Sequence, residues 1–266
     1  MGEPSGTERA PLLVRREEAL LWVTLDEGER ANALSPALIA ALTELYARPL
    51  REEGVRAVVL TGAGRHFSAG ADLAHLRSLQ GASLDDNRAD SRRLRDLFAA
   101  VLRQEALTVA LVQGACIAGG CGLATAHDFV VAADDARFMY SEVKIGFVAA
   151  LVATFLPLRV KGADLRELLL FPRLLDATEA LRLGLCNRVV PRTDLEQAGL
   201  ALVRDVLVNA SSQSIARTKR LLLELLGRPL DEALDMAAEQ NAQARLTADC
   251  ARGIATFLET KSAPSW

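Results

Sequence analysis

Glu142 is a lone carboxylate between two apolar patches of this 266-residue sequence, and a candidate proton carrier. It stands in Met139-Tyr140-Ser141-Glu142-Val143, with apolar runs on both sides. Desolvation there would raise its pKa toward the range in which a carboxylate serves as general acid or base. A glutamate at a helix start, favoured by the dipole, is the other reading of the same residue. Two stretches of small residues supply complementary chemistry. Arg56-Ala57-Val58-Val59-Leu60-Thr61-Gly62 has the pattern of a buried strand, and the loop after it ends in Ser68-Ala69-Gly70-Ala71-Asp72-Leu73, with a helix expected from Ala71-Asp72. Val109 to Val112 is a second apolar strand, followed by a turn and by Gly119-Gly120 opening a second helix. Glycine lets backbone come close to a ligand. The first N–H groups of a helix lack intrahelical partners and favour negative charge. Two such N–H groups aimed at one carbonyl oxygen make an oxyanion hole. Taken alone, the Gly119-Gly120 junction fits close packing of a helix on a strand better than it fits an anion site.

Other reactive residue types point nowhere as definite. His66 and Ser68 lie two apart in a glycine-rich loop, but no G-x-S-x-G elbow surrounds the serine. They read as a loop histidine and a structural serine. Asp128, beside His127, reads as a turn or packing residue. Cys116, Cys121, Cys186 and Cys250 form no C-x-x-C pair, so free thiols in a reducing compartment are expected. His66, His75 and His127 do not join them at ligand spacing, and no metal is expected. The net charge of -3 argues against nucleic acid as a partner. Arg92, Arg93 and Arg95 lie between Asp90 and Asp96, the pattern of a solvated, salt-bridged helix face. No apolar run reaches membrane-spanning length and the N-terminus does not resemble a signal peptide, so a cytoplasmic protein without membrane contact is expected.

The elements that must position these residues follow from periodicity. Met1 to Arg9 reads as a tail, Leu12–Val14 and Ala19–Leu25 as strands, and Glu27 to Leu34 as a polar loop. Ser35 and Pro36 are suited to cap and open a helix that Pro49 stops. Gln80 to Asp90 is polar, and Asp90 to Gln104 is an amphipathic helix. A helix from Lys161-Gly162 to Leu170, another from about Asp176 to Gly184, and a strand from Cys186 to Val190 come next. Beyond Asp194 only helical patterns remain: about Leu195–Asn209, Ser214–Leu226, Leu230–Arg245 and Ala248–Thr260. This divides the chain into 10–193, an α/β region, and 194–266, a helical region with apolar faces it could not bury alone.

Ser68 to Leu73, Ala118-Gly119-Gly120-Cys121-Gly122-Leu123 and Ser141-Glu142-Val143 together resemble the enoyl-CoA hydratase/isomerase (crotonase) superfamily, and the similarity runs from about Leu12 to Phe257. The resemblance implies an α/β crotonase-like spiral of repeated ββα units over 10–193, and a C-terminal helical region over 194–266 that builds a trimer or a hexamer. It implies an acyl-CoA thioester substrate, with coenzyme A part of the substrate and no separate cofactor. By matching, the backbone N–H groups of Ala71 and Gly119 form the oxyanion hole and Glu142 is the acid/base. Arg30, Ala31, Ala33, Ala69, Asp72, Leu73 and Gly120 would join Ala71 and Gly119 along the CoA cleft. Arg30 could also pair with a phosphate. Phe257-Leu258-Glu259-Thr260-Lys261 resembles the family's tail, which reaches a neighbour's CoA site, with Thr260 where lysine is usual.

One position departs from the family pattern. Well-known hydratases carry a second glutamate three residues after the oxyanion-hole glycine, and Gly122 stands there. The expected reaction is hydration of a 2-enoyl-CoA, with Glu142 orienting water and protonating Cα. The alternative is an enoyl-CoA isomerase in which Glu142 shuttles one proton. A non-catalytic acyl-CoA-binding oligomer is the reading from another class.

Overall fold

The computed structural model describes residues 10–266, so the expected tail, Met1 to Arg9, lies outside the described residues. In chain order the elements are Leu12–Glu17 (β1), Leu20–Leu25 (β2), Pro36–Ala47 (α1), Ala57–Gly62 (β3), Leu73–Ser78 (α2), Leu84–Arg103 (α3), Leu107–Val112 (β4), Ala115–Ile117 (β5), Gly119–Thr125 (α4), Phe129–Ala133 (β6), Arg137–Met139 (β7), Val152–Phe155 (α5), Gly162–Leu170 (α6), Leu175–Asp176 (β8), Ala177–Leu183 (α7) and Arg188–Val190 (β9). Four helices complete the chain: Leu195–Asn209 (α8), Ser212–Glu224 (α9), Leu230–Arg245 (α10) and Ala248–Thr260 (α11).

The main sheet has the order β1-β2-β3-β4-β6-β9, antiparallel at β1–β2 and parallel from there on. Parallel strands covered on both faces read as continuous apolar runs, which is why β3, β4 and β6 are legible in the sequence. Alternate side chains feed two cores. Val23, Leu60, Ala110 and Val130 pack toward α1, α3 and α4, whereas Trp22, Val59, Val109 and Val131 pack toward α8 through Leu195, Leu202 and Val203. β1, at the edge, is exposed beyond Leu12 and ends in Arg15, Arg16 and Glu17, charges that suit an unpaired edge.

A second sheet, β5-β7-β8, sets the site. Its strands have only two or three residues, too few for a periodicity to declare itself. β5 pairs with β7 in parallel, Ile117 opposite Met139, and so places the glycine turn and the glutamate segment side by side.

Helix ends follow the capping residues. Ser35 accepts a hydrogen bond from the Leu38 N–H at 3.1 Å, with Pro36 at the first position. α3 starts at Leu84, six residues before the expected start at Asp90 and inside the polar stretch Gln80 to Asp90. The reason is a capping box in which Ser83 accepts from the Asp86 N–H and the Asp86 carboxylate accepts from the Ser83 N–H. Asp176 caps α7 and Gly184, at φ 85°, ends it.

Asp128 is a packing residue. Its Oδ2 accepts from the Thr108 N–H at 2.7 Å, the Thr108 hydroxyl at 2.9 Å and Lys219 Nζ at 2.6 Å. Lys219 also donates to Ala106 O, so α9 is tied to the start of β4 by a charge that is itself buried. Burial lowers the Lys219 pKa, and the neighbouring carboxylate opposes that shift. His127 is fully buried between Tyr46 Oη at 2.7 Å and Leu123 O at 2.8 Å, and burial pushes its pKa down to about 3. It is therefore a neutral packing group.

Candidate active site

Three backbone segments meet at the site: 31–34, 67–72 and 113–120. Phe67 N–H donates to Gln113 O at 2.8 Å, Ser68 N–H to Ala115 O at 3.1 Å, and Ile117 N–H back to Ser68 O at 3.0 Å. The first segment joins through Ala69 N–H to Ala31 O at 2.9 Å and Leu34 N–H to Gly70 O at 2.7 Å. Two glycines make the approach possible. A Cβ on Gly70, whose φ is +89°, would sit 2.6 Å from Ile117 O. One on Gly120 would sit 2.7 Å from Ser68 O. Both are closer than any real Cβ contact, so side chains here would force the two loops apart.

This ladder leaves the Ala71 and Gly119 N–H groups without an acceptor among the described residues. Ala118 accounts for the second. It holds φ 47° and ψ −118°, an unusual conformation for a residue with a side chain, and its own N–H donates to Met139 O at 2.7 Å. The turn therefore directs one N–H into the β7 segment and frees the next. Strain of this kind costs about 1–3 kcal/mol and persists where surrounding structure fixes it.

Glu142 begins a 3-10 turn, Glu142–Ile145, three residues past the end of β7, which Gly146 closes at φ 74°. Tyr140 anchors the approach: it is buried, and its hydroxyl lies 3.2 Å from Thr125 Oγ1 on α4. Oε2 of Glu142 is buried and has no hydrogen-bond partner among the described residues. Burial raises the carboxyl pKa, with the Glu142 and Ser141 N–H groups opposing the shift. An orphaned, desolvated carboxylate oxygen is costly to the fold and useful to a proton transfer.

The space beside Gly122 is closed. A Cβ there would lie 2.8 Å from Phe98 Cζ and 2.9 Å from Val152 Cγ2. Phe98 packs edge-on against Phe155, with ring centroids 5.5 Å apart, and both rings are buried. Apolar side chains from α3 and α5 thus occupy the place where a second carboxylate would project.

Arg30 and Asp72 pair with each other, and Asp72 also accepts from the Ala74 N–H at 2.9 Å as the cap of α2. Burial alone would raise the Asp72 pKa, but Arg30 and the His75 and Ala74 N–H groups hold it below the usual value. The Asp72 carboxylate is therefore committed to the protein, and Arg30 already has an anionic partner. Ala31 holds φ 52° in the loop before α1, Ala33 follows in the same loop, and Leu73 is exposed. His66 and Ser68 form no catalytic pair. The Ser68 hydroxyl donates to Asn32 O at 2.8 Å, and His66 Nδ1 accepts from the Ala115 N–H at 2.9 Å. Both sew loops together.

Sequence reasoning missed Asn32. It is fully buried at φ 51°, accepts from the Glu27 N–H at 3.1 Å, and donates to Ala63 O at 3.0 Å and His66 O at 2.8 Å. It fastens the 31–34 loop to the first small-residue loop. The signal was its type: asparagine is among the few residues with a side chain that tolerate left-handed backbone.

The family profile described as enoyl-CoA hydratase/isomerase matches residues 15–266. A Thermus thermophilus relative, whose enoyl-CoA hydratase name is itself provisional, is 45% identical over 243 residues, covering 90% of this chain and 94% of its own. The mitochondrial Delta(3,5)-Delta(2,4)-dienoyl-CoA isomerase of Rattus norvegicus is 32% identical over 262 residues, covering 94% and 79%. The crystal structure of an enoyl-CoA hydratase from Mycobacterium smegmatis superposes with a TM-score of 0.88 at 31% identity, covering 96% and 98%. Matched along nearly its whole length in sequence and in fold, the chain belongs to the enoyl-CoA hydratase/isomerase (crotonase) superfamily.

Proposed function

We propose that the protein isomerises the double bond of an enoyl-CoA thioester, with Glu142 carrying one proton between Cα and Cγ. The observation that carries this reading is the closed space beside Gly122, where Phe98 and Val152 stand. A desolvated carboxylate whose Oε2 has no hydrogen-bond partner among the described residues is sufficient for a proton shuttle. In a 3-enoyl-CoA, Glu142 removes a proton from Cα. The electron pair moves toward the thioester oxygen and gives a dienolate. The Ala71 and Gly119 N–H groups stabilise that oxygen, each by about 3 kcal/mol. Glu142 then returns the proton at Cγ, leaving a conjugated 2-enoyl-CoA and the carboxylate regenerated. The loops that contain Arg30, Ala31 and Ala33, and Ala69, Asp72, Leu73 and Gly120, would receive the CoA moiety, which needs no other cofactor. Exposed Leu170, Phe171 and Leu174, with Leu230, Ile254 and Phe257 on the terminal helices, suit burial in a homotrimer or hexamer.

Hydration of a 2-enoyl-CoA is the second reading. It is favoured by the name of the Thermus relative and would require Glu142 both to orient the water and to protonate Cα. The two readings separate when a 3-enoyl-CoA and a 2-trans-enoyl-CoA are incubated in parallel with the purified protein. The expected result is growth of the conjugated-enoyl absorbance from the 3-enoyl substrate without gain of water by mass. Water addition to the 2-enoyl substrate as the faster reaction would establish hydration instead. Acyl-CoA binding without turnover of either would overturn both.

A further inference from the structure

The segment that carries Glu142 is fastened to the protein by few bonds. At its root, Met139 O accepts from the Ala118 N–H at 2.7 Å. Past Met139 the backbone bonds turn inward: Lys144 N–H donates to Ser141 O, Gly146 N–H to Val143 O and Phe147 N–H to Glu142 O. Lys144 Nζ reaches back to Met139 Sδ, at 3.9 Å. Among the described residues, the one hydrogen bond that joins residues 140–147 to another element is that between the Tyr140 hydroxyl and Thr125 Oγ1 on α4, at 3.2 Å.

Hydroxyl chemistry fixes the direction of that bond. Thr125 has one hydroxyl proton and donates it to Cys121 O at 2.7 Å, one turn back along α4. Tyr140 is therefore the donor and Thr125 Oγ1 the acceptor. Both residues are buried, and burial raises the Tyr140 pKa, so the phenol keeps its proton. Thr125 is held from the other side as well. Its carbonyl accepts from Arg159 Nε at 2.9 Å, and Arg159 Nη2 donates to His127 O and, at 2.9 Å, to Asp128 O. A guanidinium on these carbonyls secures the C-terminal end of α4. Gly119 is the first residue of α4 and Thr125 the last, about 9 Å apart along its axis. The helix that presents the Gly119 N–H thus grips the glutamate segment near both ends, Met139 through Ala118 and Tyr140 through Thr125. Replacing both partners of a buried hydrogen bond by apolar groups of the same shape is nearly neutral for stability. What this bond adds is a fixed geometry.

We infer that Thr125 is a positioning residue for the reaction: by accepting from Tyr140 it holds the Glu142 carboxylate at a set distance from the Gly119 N–H. The inference rests on Glu142 as the acid/base of the enoyl-CoA reading above. Proton carrier and oxyanion donor act on neighbouring atoms of one thioester, and a misplacement of about 1 Å between such groups costs up to about a hundredfold in rate.

The test uses Thr125→Val, Tyr140→Phe, the double variant and Thr125→Ser, each with a 3-enoyl-CoA and a 2-trans-enoyl-CoA. Thr125→Val and Tyr140→Phe are each expected to lower kcat by roughly tenfold or more, with KM unchanged, on whichever substrate the wild type turns over. The double variant is expected to be no slower than the slower single one, because the same contact is lost in all three. Thr125→Ser keeps the hydroxyl and is expected to keep kcat. A pair that serves packing alone would lower the melting temperature and leave kcat unchanged; that outcome, or losses that multiply in the double variant, overturns the inference. The Glu142 carboxyl supplies a readout that needs no turnover, its titration followed by infrared difference spectra against Glu142→Gln. Burial holds its pKa above the ordinary glutamate value. A segment released from Thr125 admits water to the carboxylate, so the pKa is expected to fall in Thr125→Val and Tyr140→Phe and to hold in Thr125→Ser. That pattern upholds the role of Thr125 even if neither substrate reacts. An unmoved titration refutes it whatever the reaction.

Discussion

Replacing Glu142 by glutamine is expected to lower kcat for 3-enoyl-CoA isomerisation by about a thousandfold, within the range that a positioned proton carrier contributes. Acyl-CoA affinity is expected to hold, because the amide has nearly the same shape and the thioester oxygen is held by backbone donors. The same variant has a stability signature. The folded-state pKa of Glu142 is raised by burial above its unfolded value. The folded protein therefore binds more protons than the unfolded chain between those two values, and stability falls as pH rises through that window. Glutamine removes this dependence. The variant should melt above the wild type at neutral pH, and the difference should disappear below the unfolded glutamate value of about 4.3. Measured kcat, calorimetric affinity and melting curves at two pH values check all three parts. A structural glutamate would give the opposite result, with lower melting temperature and turnover largely kept.

Placing a glutamate at Gly122 is expected to damage the fold. Its Cβ meets Phe98 and Val152 at 2.8 and 2.9 Å, and its carboxylate would enter a space lined by apolar rings. Overpacking and an unpaired buried polar group together should cost about 3 kcal/mol or more, read by denaturant unfolding. Truncating the wall in the same molecule changes the outcome. Phe98→Ala alone leaves a cavity and should itself cost about 3 kcal/mol. In the double variant the new side chain occupies that cavity, so the combined loss should be smaller than the sum. The second carboxylate would then face Glu142 across the space that Phe98 vacates, and water addition to a 2-enoyl-CoA should rise above the wild-type level. If Gly122→Glu alone is as stable as the wild type, the wall yields and does not decide the reaction.

The sequence made the main sheet and most of the helices readable because their signals are local. β3, β4 and β6 are apolar runs, Ser35-Pro36 marks one helix start, and Gly184 marks one helix end. Glu142 stood out as a charge between apolar runs, and the family resemblance was what singled it out as a candidate acid/base. The join between Glu142 and Gly119 was not legible. It depends on three-residue strands paired across about twenty residues of chain, and on Ala118 in a conformation its residue type does not announce. Asn32 was hidden because its bonds run to loops about thirty residues away. Gly122 could be recognised as a missing carboxylate, but only the packing of α3 and α5 shows that its place is filled. The α3 arginines read as a solvated face, and three do pair locally: Arg88, Arg93 and Arg95.

The central claim is that one carboxylate moves one proton within the substrate. It is tested most directly with a 3-enoyl-CoA deuterated at Cα, converted in ordinary water and analysed by mass and NMR. Transfer through the buried Glu142 predicts a conjugated 2-enoyl-CoA that carries part of the label at Cγ and has gained no water. A product with no label at Cγ, or one whose mass has risen by one water molecule, would contradict it.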